Sequence, residues 1–235
     1  MITVSIVSHR HGAMVDRLVS QLRECPEVRQ IILTFNIPES SRIKADDLVS
    51  LIENSSPKGF GANHNAAFAA CRERFYCVLN PDIELSGNPF PTLLQCLKDH
   101  QVALVAPLIL APGGAVEDNA RYFPTLWSLL QKAFGGRDGR YAIDSGRPIV
   151  FPDWVAGMFM LFRSASFEQL GGFDERYFLY YEDVDICRRI GQAGMQVGLC
   201  PSVSAIHDAR RDSHRSLPHL RWHLASMARY LTKSR

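Results

Sequence analysis

The sequence predicts an α/β fold: a mostly parallel central sheet flanked by helices, closed by a C-terminal helix. Two observations predict it. Short apolar runs rich in β-branched residues alternate with segments of helical period. Polar residues also follow several of these runs abruptly, as happens at the carboxyl edge of a parallel sheet, where ligands collect. The 235 residues suit a single domain that can bury most of its apolar surface without cross-links.

Taken in order, Ile2 to Ser8 form a buried first strand. Val15, Leu18, Val19 and Leu22 then share one face of a helix, and Gln30 to Phe35 make a second strand with a polar exit from Asn36 to Ser41. A short third strand is expected over Leu48 to Ile52. Gly59 to Asn63 read as a flexible turn entering an Ala-rich helix from His64 to Arg74. Phe75 to Leu79 form the next strand and stop at Asn80-Pro81-Asp82. A helix near Phe90 to Lys98 and a strand over Val102 to Leu110 follow. Residues 112–150 are rich in Gly and Pro, and we expect a long functional loop carrying a short helix near Leu126–Phe134. The organisation expected is a nucleotide-binding half (1–100), an acceptor half (101–206) and a basic helical tail (207–235).

The six cysteines are scattered among apolar neighbours, the pattern of reduced core thiols rather than of zinc or disulfides. Neither a leader nor a membrane-spanning run is apparent. The location expected is cytoplasmic, with peripheral contact at the inner face of the cell membrane through 208–235.

Four clusters carry chemistry. Asn80-Pro81-Asp82 is built of turn residues, and alone it is more readily an Asx-type turn than a metal site. Its place after a buried strand, however, suits a carboxylate holding Mg²⁺ or Mn²⁺ against a diphosphate. Gly59-Phe60-Gly61, leading to Asn65, offers backbone N–H groups to a phosphate or base edge, or else an ordinary helix entry. In Gly171 to Arg189, Glu182, Asp183 and Asp185 stand at a helix start behind an aromatic run that includes Tyr181. Carboxylates there complement the helix macrodipole, while the aromatics supply a partly dry pocket in which a base's pKa can rise. His207 ends an apolar stretch; a lone histidine is more often structural, yet it can complete a shell around metal held at Asp82.

Together these segments resemble the family 2 glycosyltransferases of GT-A fold, particularly the rhamnosyltransferase-like branch. Gly171 to Arg189 is similar, almost residue for residue, to the family's segment G-G-F-D-E-x-F-[FL]-x-Y-x-E-D-x-D-[LF]-x-x-R. Trp154 to Arg163 resembles the W-x-x-G strand before it, Gly59 to Ala66 the nucleotide-side helix entry, and Leu79 to Asp82 the metal motif. The resemblance implies that Asp82 bridges a divalent metal to the donor diphosphate with His207 as its companion, and that Asp183 deprotonates the acceptor hydroxyl. It implies a donor site of Ser8, Asn36, Gly61, Asn65 and Asn80, and an acceptor cleft of Trp154, Gly157, Tyr181 and Glu182. The function implied is inverting transfer of rhamnose or a similar hexose from a nucleotide sugar to a glycan or lipid-linked acceptor, in cell-envelope polysaccharide synthesis. An inactive sugar- or nucleotide-binding module of the same fold is the alternative. Two stretches depart from the family pattern. The first strand exits as Ser8-His9-Arg10-His11, and Asn36 stands where the family has a nucleobase-contacting Asp, which keeps an acceptor but loses the charge.

The tail holds seven Lys/Arg (Arg210, Arg211, Arg215, Arg221, Arg229, Lys233 and Arg235) against Asp208 and Asp212. Ser216 can cap a helix in which Leu217, Leu220, Leu224, Met227 and Leu231 draw one apolar stripe. Packing on its own domain, a homodimer seam and contact with anionic lipid all use such a stripe. No recognisable nucleic-acid module accompanies the basic residues, so no nucleic-acid partner is expected.

Overall fold

In the computed structural model, residues 1–133, 135–136, 138–208 and 217–233 are described. The chain runs β1 (Ile2–Ser8), α1 (Ala13–Arg23), β2 (Val28–Phe35), β3 (Val49–Glu53), α2 (Phe60–Phe68), β4 (Phe75–Leu79), β5 (Ile83–Glu84) and α3 (Phe90–His100). It continues through β6 (Leu104–Leu110), β7 (Ala120–Arg121), α4 (Leu126–Ala133), β8 (Trp154–Val155), β9 (Phe159–Arg163), α5 (Ser164–Gln169), α6 (Glu182–Gln192), β10 (Val197–His207) and α7 (Leu217–Thr232).

Eight strands form one sheet in the order β3-β2-β1-β4-β9-β6-β10-β5. β9 runs antiparallel to both β4 and β6, and β5 antiparallel to β10; the other six strands share one direction. Both faces are covered, so strand residues alternate between two apolar layers instead of between core and water. Ile2, Val4 and Ile6 of β1 pack with Leu18 and Leu22 of α1 and with Phe90 and Leu93 of α3. Tyr76 and Val78 of β4, with Met160 and Phe162 of β9, face the opposite layer with Phe167, Phe173 and Ile186.

Two sequence expectations change. The Gly59–Asn63 segment is no flexible turn: Gly59 caps α2, which begins at Phe60 and ends at Phe68, six residues before the expected Arg74. The reason is tertiary packing. A Cβ on Gly61 would sit 2.7 Å from the Phe173 Cβ, and one on Gly59 would sit 2.7 Å from the Phe178 carbonyl oxygen. These glycines let α2 press against the segment that leads to α6. The thiols also differ from expectation, because Cys96 of α3 and Cys200 of β10 form a disulfide. The two are 104 residues apart, and only the docking of α3 against the sheet brings them together. The other four cysteines are free.

α7 packs through part of the expected stripe. Met227 and Leu231 join a cluster with Tyr177, Tyr181 and the buried Tyr230, whereas Leu217, Leu220 and Leu224 stay 78%, 55% and 49% exposed. Arg210, Arg211, Arg215, Ser216 and Arg235 lie outside the described residues. No helix among the described residues is long and apolar enough to cross a membrane.

Candidate active site

β1, β2 and β4 end side by side, and their exits carry Ser8, Asn36 and Asn80-Pro81-Asp82 to one edge of the sheet. β2 and β3 lie on one side of β1 and β4 on the other, which makes this edge a topological switch point of the kind that binds ligands in open α/β sheets.

Asn36 is buried and fully engaged. Its Oδ1 accepts from Asn54 Nδ2 at 2.9 Å and from the Lys58 N–H at 2.8 Å, and its Nδ2 donates to the Lys58 carbonyl at 2.9 Å. Asn54 also donates to Asn63 Oδ1 at 2.6 Å, and Asn63 donates to the Gly59 carbonyl at 3.0 Å. This asparagine cluster ties β2, β3 and α2 together and leaves Asn36 little capacity for a ligand. Asn65 points elsewhere. Its amide donates to the Phe173 carbonyl and to Glu175, and its oxygen accepts from the Phe173 N–H. Asn65 and Gly61 thus fasten α2 to the 172–175 loop. Asn63, not Asn65, is the α2 residue that joins the asparagine cluster at the strand exits.

Ser8 Oγ donates to Glu39 Oε1 at 2.5 Å and accepts from the His11 N–H at 3.3 Å.

At the end of β4, pairing of His207 with Ile83 and a hydrogen bond from the Asp208 N–H to the Asp82 carbonyl bring the last residue of β10 beside Asp82. His207 Nε2 lies 3.3 Å from Asp82 Oδ2, and Nδ1 lies 2.7 Å from Glu117 Oε2. Burial opposes charge on this imidazole, but hydrogen bonds and charge from Asp82 and Glu117 outweigh it and push its pKa up to about 9. Asp82 Oδ1 is buried without a hydrogen-bond partner, an uncommon and costly state for a carboxylate oxygen. The open Oδ1, with the His207 imidazole against the other oxygen of the same carboxylate and Glu117 behind that ring, fits the donor set of a divalent cation once the imidazole gives up its proton. Among the described residues no group of three or more His, Cys, Asp or Glu side chains is placed to hold a metal ion.

The second half of the site is a cavity of about 270 Å³ lined by Arg121, Tyr122, Trp154, Tyr181, Glu182 and Asp183 among others. Trp154 is fixed by donation from Nε1 to the Tyr122 carbonyl at 3.0 Å. Asp183 stands in the first turn of α6, half-buried, and accepts from the Gly157 N–H at 3.1 Å and from its neighbour Val184 N–H at 2.8 Å. Burial raises its pKa above the usual aspartate range, and these N–H donors partly offset that rise. Burial, and then the Asp183 charge, lift Glu182 well above its ordinary range; its Oε2 is buried and unpartnered. Like charges this close resist joint ionisation, so each carboxyl makes it harder for the other to lose its proton. Asp185 turns away from the cleft, pairing with Arg189 at 2.8 Å and with Lys233 of the C-terminal segment.

The turn that presents Asp183 is strained. Tyr180 and Tyr181 both adopt left-handed backbone angles, φ 70° and 69°, which cost bulky residues about 1–3 kcal/mol each. α7 holds this turn: Ser226 Oγ donates to the Leu179 carbonyl at 2.9 Å, Tyr180 Oη meets His219 Nδ1 at 2.9 Å, and the Tyr181 and Tyr230 rings are 5.5 Å apart. The C-terminal helix is therefore a buttress of the site. Glu39, Asn54, Asn63 and Glu117 were not singled out by sequence reasoning. Glu117 and Glu39 lie in loops with no motif, and only the asparagine-rich run around 54–65 signalled that cluster.

A family model described as glycosyltransferase-like family 2 matches residues 36–224. The rhamnosyltransferase WbbL of Escherichia coli (strain K12) is 30% identical over 253 residues, covering 100% of this chain and 94% of the relative. The N-acetylglucosaminyl-diphospho-decaprenol L-rhamnosyltransferase of Mycobacterium tuberculosis (strain CDC 1551 / Oshkosh) is 27% identical over 237 residues, covering 88% and 76%. Among solved structures, GalNAc-T7 with UDP, GalNAc and Mn²⁺ matches with a TM-score of 0.71 at 16% identity over 90% of this chain. The Pyrobaculum calidifontis mannosyltransferase PcManGT, in complex with GDP-Man and Mn²⁺, matches at 0.64 and 14% identity over 100% of it. This chain spans 44% and 65% of those two proteins, and the likeness establishes a GT-A-type fold. With a family model matching most of the chain and a relative aligned along all of it, the protein belongs to glycosyltransferase-like family 2, in its rhamnosyltransferase-like branch.

Proposed function

We propose that this glycosyltransferase moves rhamnose or a similar hexose from a nucleoside-diphosphate donor to a hydroxyl of a glycan or lipid-linked acceptor, with inversion. The observation that carries the reading is Asp183, a half-buried carboxylate aimed by the Gly157 N–H into an aromatic-lined cavity. A base so placed can take the acceptor's proton as that oxygen bonds to the anomeric carbon and the bond to the departing diphosphate breaks. Its raised pKa improves proton acceptance. Tyr122, Trp154 and Tyr181 offer aromatic faces to a sugar ring.

Asp82 and His207 would hold Mg²⁺ or Mn²⁺, with Glu117 orienting the imidazole. When bound, the cation would neutralise charge developing on the leaving diphosphate. Support comes from the unpartnered Asp82 Oδ1 and from the two structural neighbours, whose complexes contain Mn²⁺ with a nucleotide or nucleotide sugar. Incubation with a panel of nucleoside-diphosphate sugars and Mn²⁺ should give slow donor hydrolysis for at least one member. Tight nucleotide-sugar binding with neither hydrolysis nor transfer would favour the inactive-module alternative.

The exposed Leu217, Leu220 and Leu224, on a helix segment with Arg221 and Arg229 and no acidic residue, support peripheral contact with an anionic membrane face. One relative's name specifies a decaprenol-linked acceptor, which suits that surface. The protein should sediment with anionic vesicles at low salt and less at high salt, and Leu220→Ser with Leu224→Ser should weaken this. Equal behaviour with neutral and anionic vesicles would remove the membrane reading. Concentration-dependent dimerisation lost in the same double variant would assign the stripe to a homodimer seam instead.

A further inference from the structure

Ser226 and Tyr230 are the two residues of α7 that the fold buries, while Leu217, Leu220 and Leu224 stay exposed. Burying a serine hydroxyl ahead of three leucines is unfavourable unless that hydroxyl makes a bond. Here Ser226 Oγ donates to the Leu179 carbonyl at 2.9 Å. His219, Trp222, His223, Ser226 and Tyr230 share this face, at steps of three and four along the helix. They meet four consecutive residues ahead of α6. The Trp222 ring lies 4.8 Å from Phe178, Ser226 bonds Leu179, His219 Nδ1 lies 2.9 Å from Tyr180 Oη, and the His223 and Tyr230 rings each lie 5.5 Å from Tyr181.

These contacts fall on the strained part of the chain. Left-handed angles at Tyr180 and Tyr181 suit Gly or Asn, and two tyrosines hold them only while the surroundings leave no alternative. Tyr181 is also the N-cap of α6, and its carbonyl accepts the helix's first hydrogen bond, from the Asp185 N–H at 2.8 Å. The direction in which the Asp183 side chain leaves α6, and its reach to the Gly157 N–H, therefore depend on the Tyr181 backbone. α2 fixes the segment earlier, where the Phe60 N–H donates to the Phe178 carbonyl at 2.9 Å. From Leu179 to Tyr181, α7 supplies a contact at every residue.

Resting on the function proposed above, we infer that Ser226 is a positioning residue for sugar transfer: through the Leu179 carbonyl it holds the Tyr180–Tyr181 turn in the conformation that aims Asp183 into the acceptor cavity. Without that bond the turn has a route to ordinary backbone angles, and Asp183 spends part of its time misaimed. The donor edge is built from the ends of β1, β2 and β4, so the loss falls on the rate of the chemical step and not on donor binding.

Two measurements on the whole protein test this together: hydrolysis of the nucleotide sugar that the panel above identifies, with water in the acceptor's place and Mn²⁺ present, and amide hydrogen exchange. Ser226→Ala, which suits a helix interior better than serine does, should lower kcat about 10-fold and leave KM and the calorimetric affinity for UDP, dTDP and GDP unchanged. Amides of residues 179–185 should exchange faster in it. Lys233→Met removes the ion pairs with Asp174 and Asp185, just beyond the end of α7; it should lower the thermal midpoint and keep kcat. Tyr180→Phe keeps the ring but drops the bond to His219; it should lower kcat with KM unchanged, and it carries the test where Ser226→Ala does not fold. Wild-type kcat in Ser226→Ala would overturn the inference, as would a loss expressed in KM. Equal losses in Ser226→Ala and Lys233→Met would also overturn it, since general support of α7 would then account for the effect. Wild-type protein that hydrolyses none of the donors would remove the transferase reading; faster exchange at 179–185 in Ser226→Ala, absent in Lys233→Met, would still uphold the clasp on the turn, and unchanged exchange would overturn it.

Discussion

Asp183→Asn should lower sugar transfer about 100-fold or more while leaving nucleoside diphosphate affinity and thermal stability near those of the wild type. General-base catalysis contributes roughly 10²–10⁴-fold, and the amide keeps the acceptor geometry toward the Gly157 N–H while losing the basic oxygen. The sign of the pH dependence follows from burial. Asp183 works only when ionised, and its pKa is raised. The acidic limb of kcat/KM should therefore lie above the range of an ordinary aspartate, with activity present on its alkaline side and lost as pH falls through that pKa. In Asp183→Asn this limb should disappear from whatever activity remains. Near-normal turnover in the variant would remove Asp183 from the role of base. Glu182 would then be next to test, because Asp185 is held between Arg189 and Lys233, outside the cleft.

Metal removal is expected to have a comparably large effect. Transfer should vanish in excess chelator and return with Mn²⁺ or Mg²⁺, and Asp82→Ala should abolish the tightening of nucleoside diphosphate binding that the cation produces. Replacing an outer-shell partner of a metal ligand costs about 10–100-fold in metal affinity. Glu117→Gln, which leaves both proposed ligands but weakens the hold on the His207 ring, should fall in that range, and Asp82→Ala beyond it. Full transfer in the presence of chelator would exclude the metal role and leave Asp82 and His207 as an ordinary half-buried pair.

The separation between chain and fold is clearest at particular residues. Asp183 is legible because a run of aromatics followed by three acidic residues at a helix start is a local pattern. Asp82 is legible because a polar tripeptide terminates a wholly apolar strand. Asn65 and Gly61 show the opposite case. A glycine pair before a helix looks the same in sequence whether it admits a phosphate or another part of the protein, and here it admits Phe173 and Phe178. The apolar stripe of α7 was likewise read as one surface, but the fold buries only its later part.

The order of β1, β2, β3, β4 and β6 along the chain, the wholly apolar runs of β1 and β4 and the positions of their exits follow from local composition. Hydrophobic period and turn chemistry act over a few residues and can be read within such a window. The pairing of His207 with Asp82, the clamp of Glu117 on that ring, the committed amide of Asn36, the bond from Ser8 to Glu39 and the Cys96–Cys200 bridge join positions 31 to 125 residues apart or depend on which neighbour has already taken a hydrogen bond. Those relations arise when strands settle into register and buried donors and acceptors compete for partners, a competition that no short stretch of chain contains.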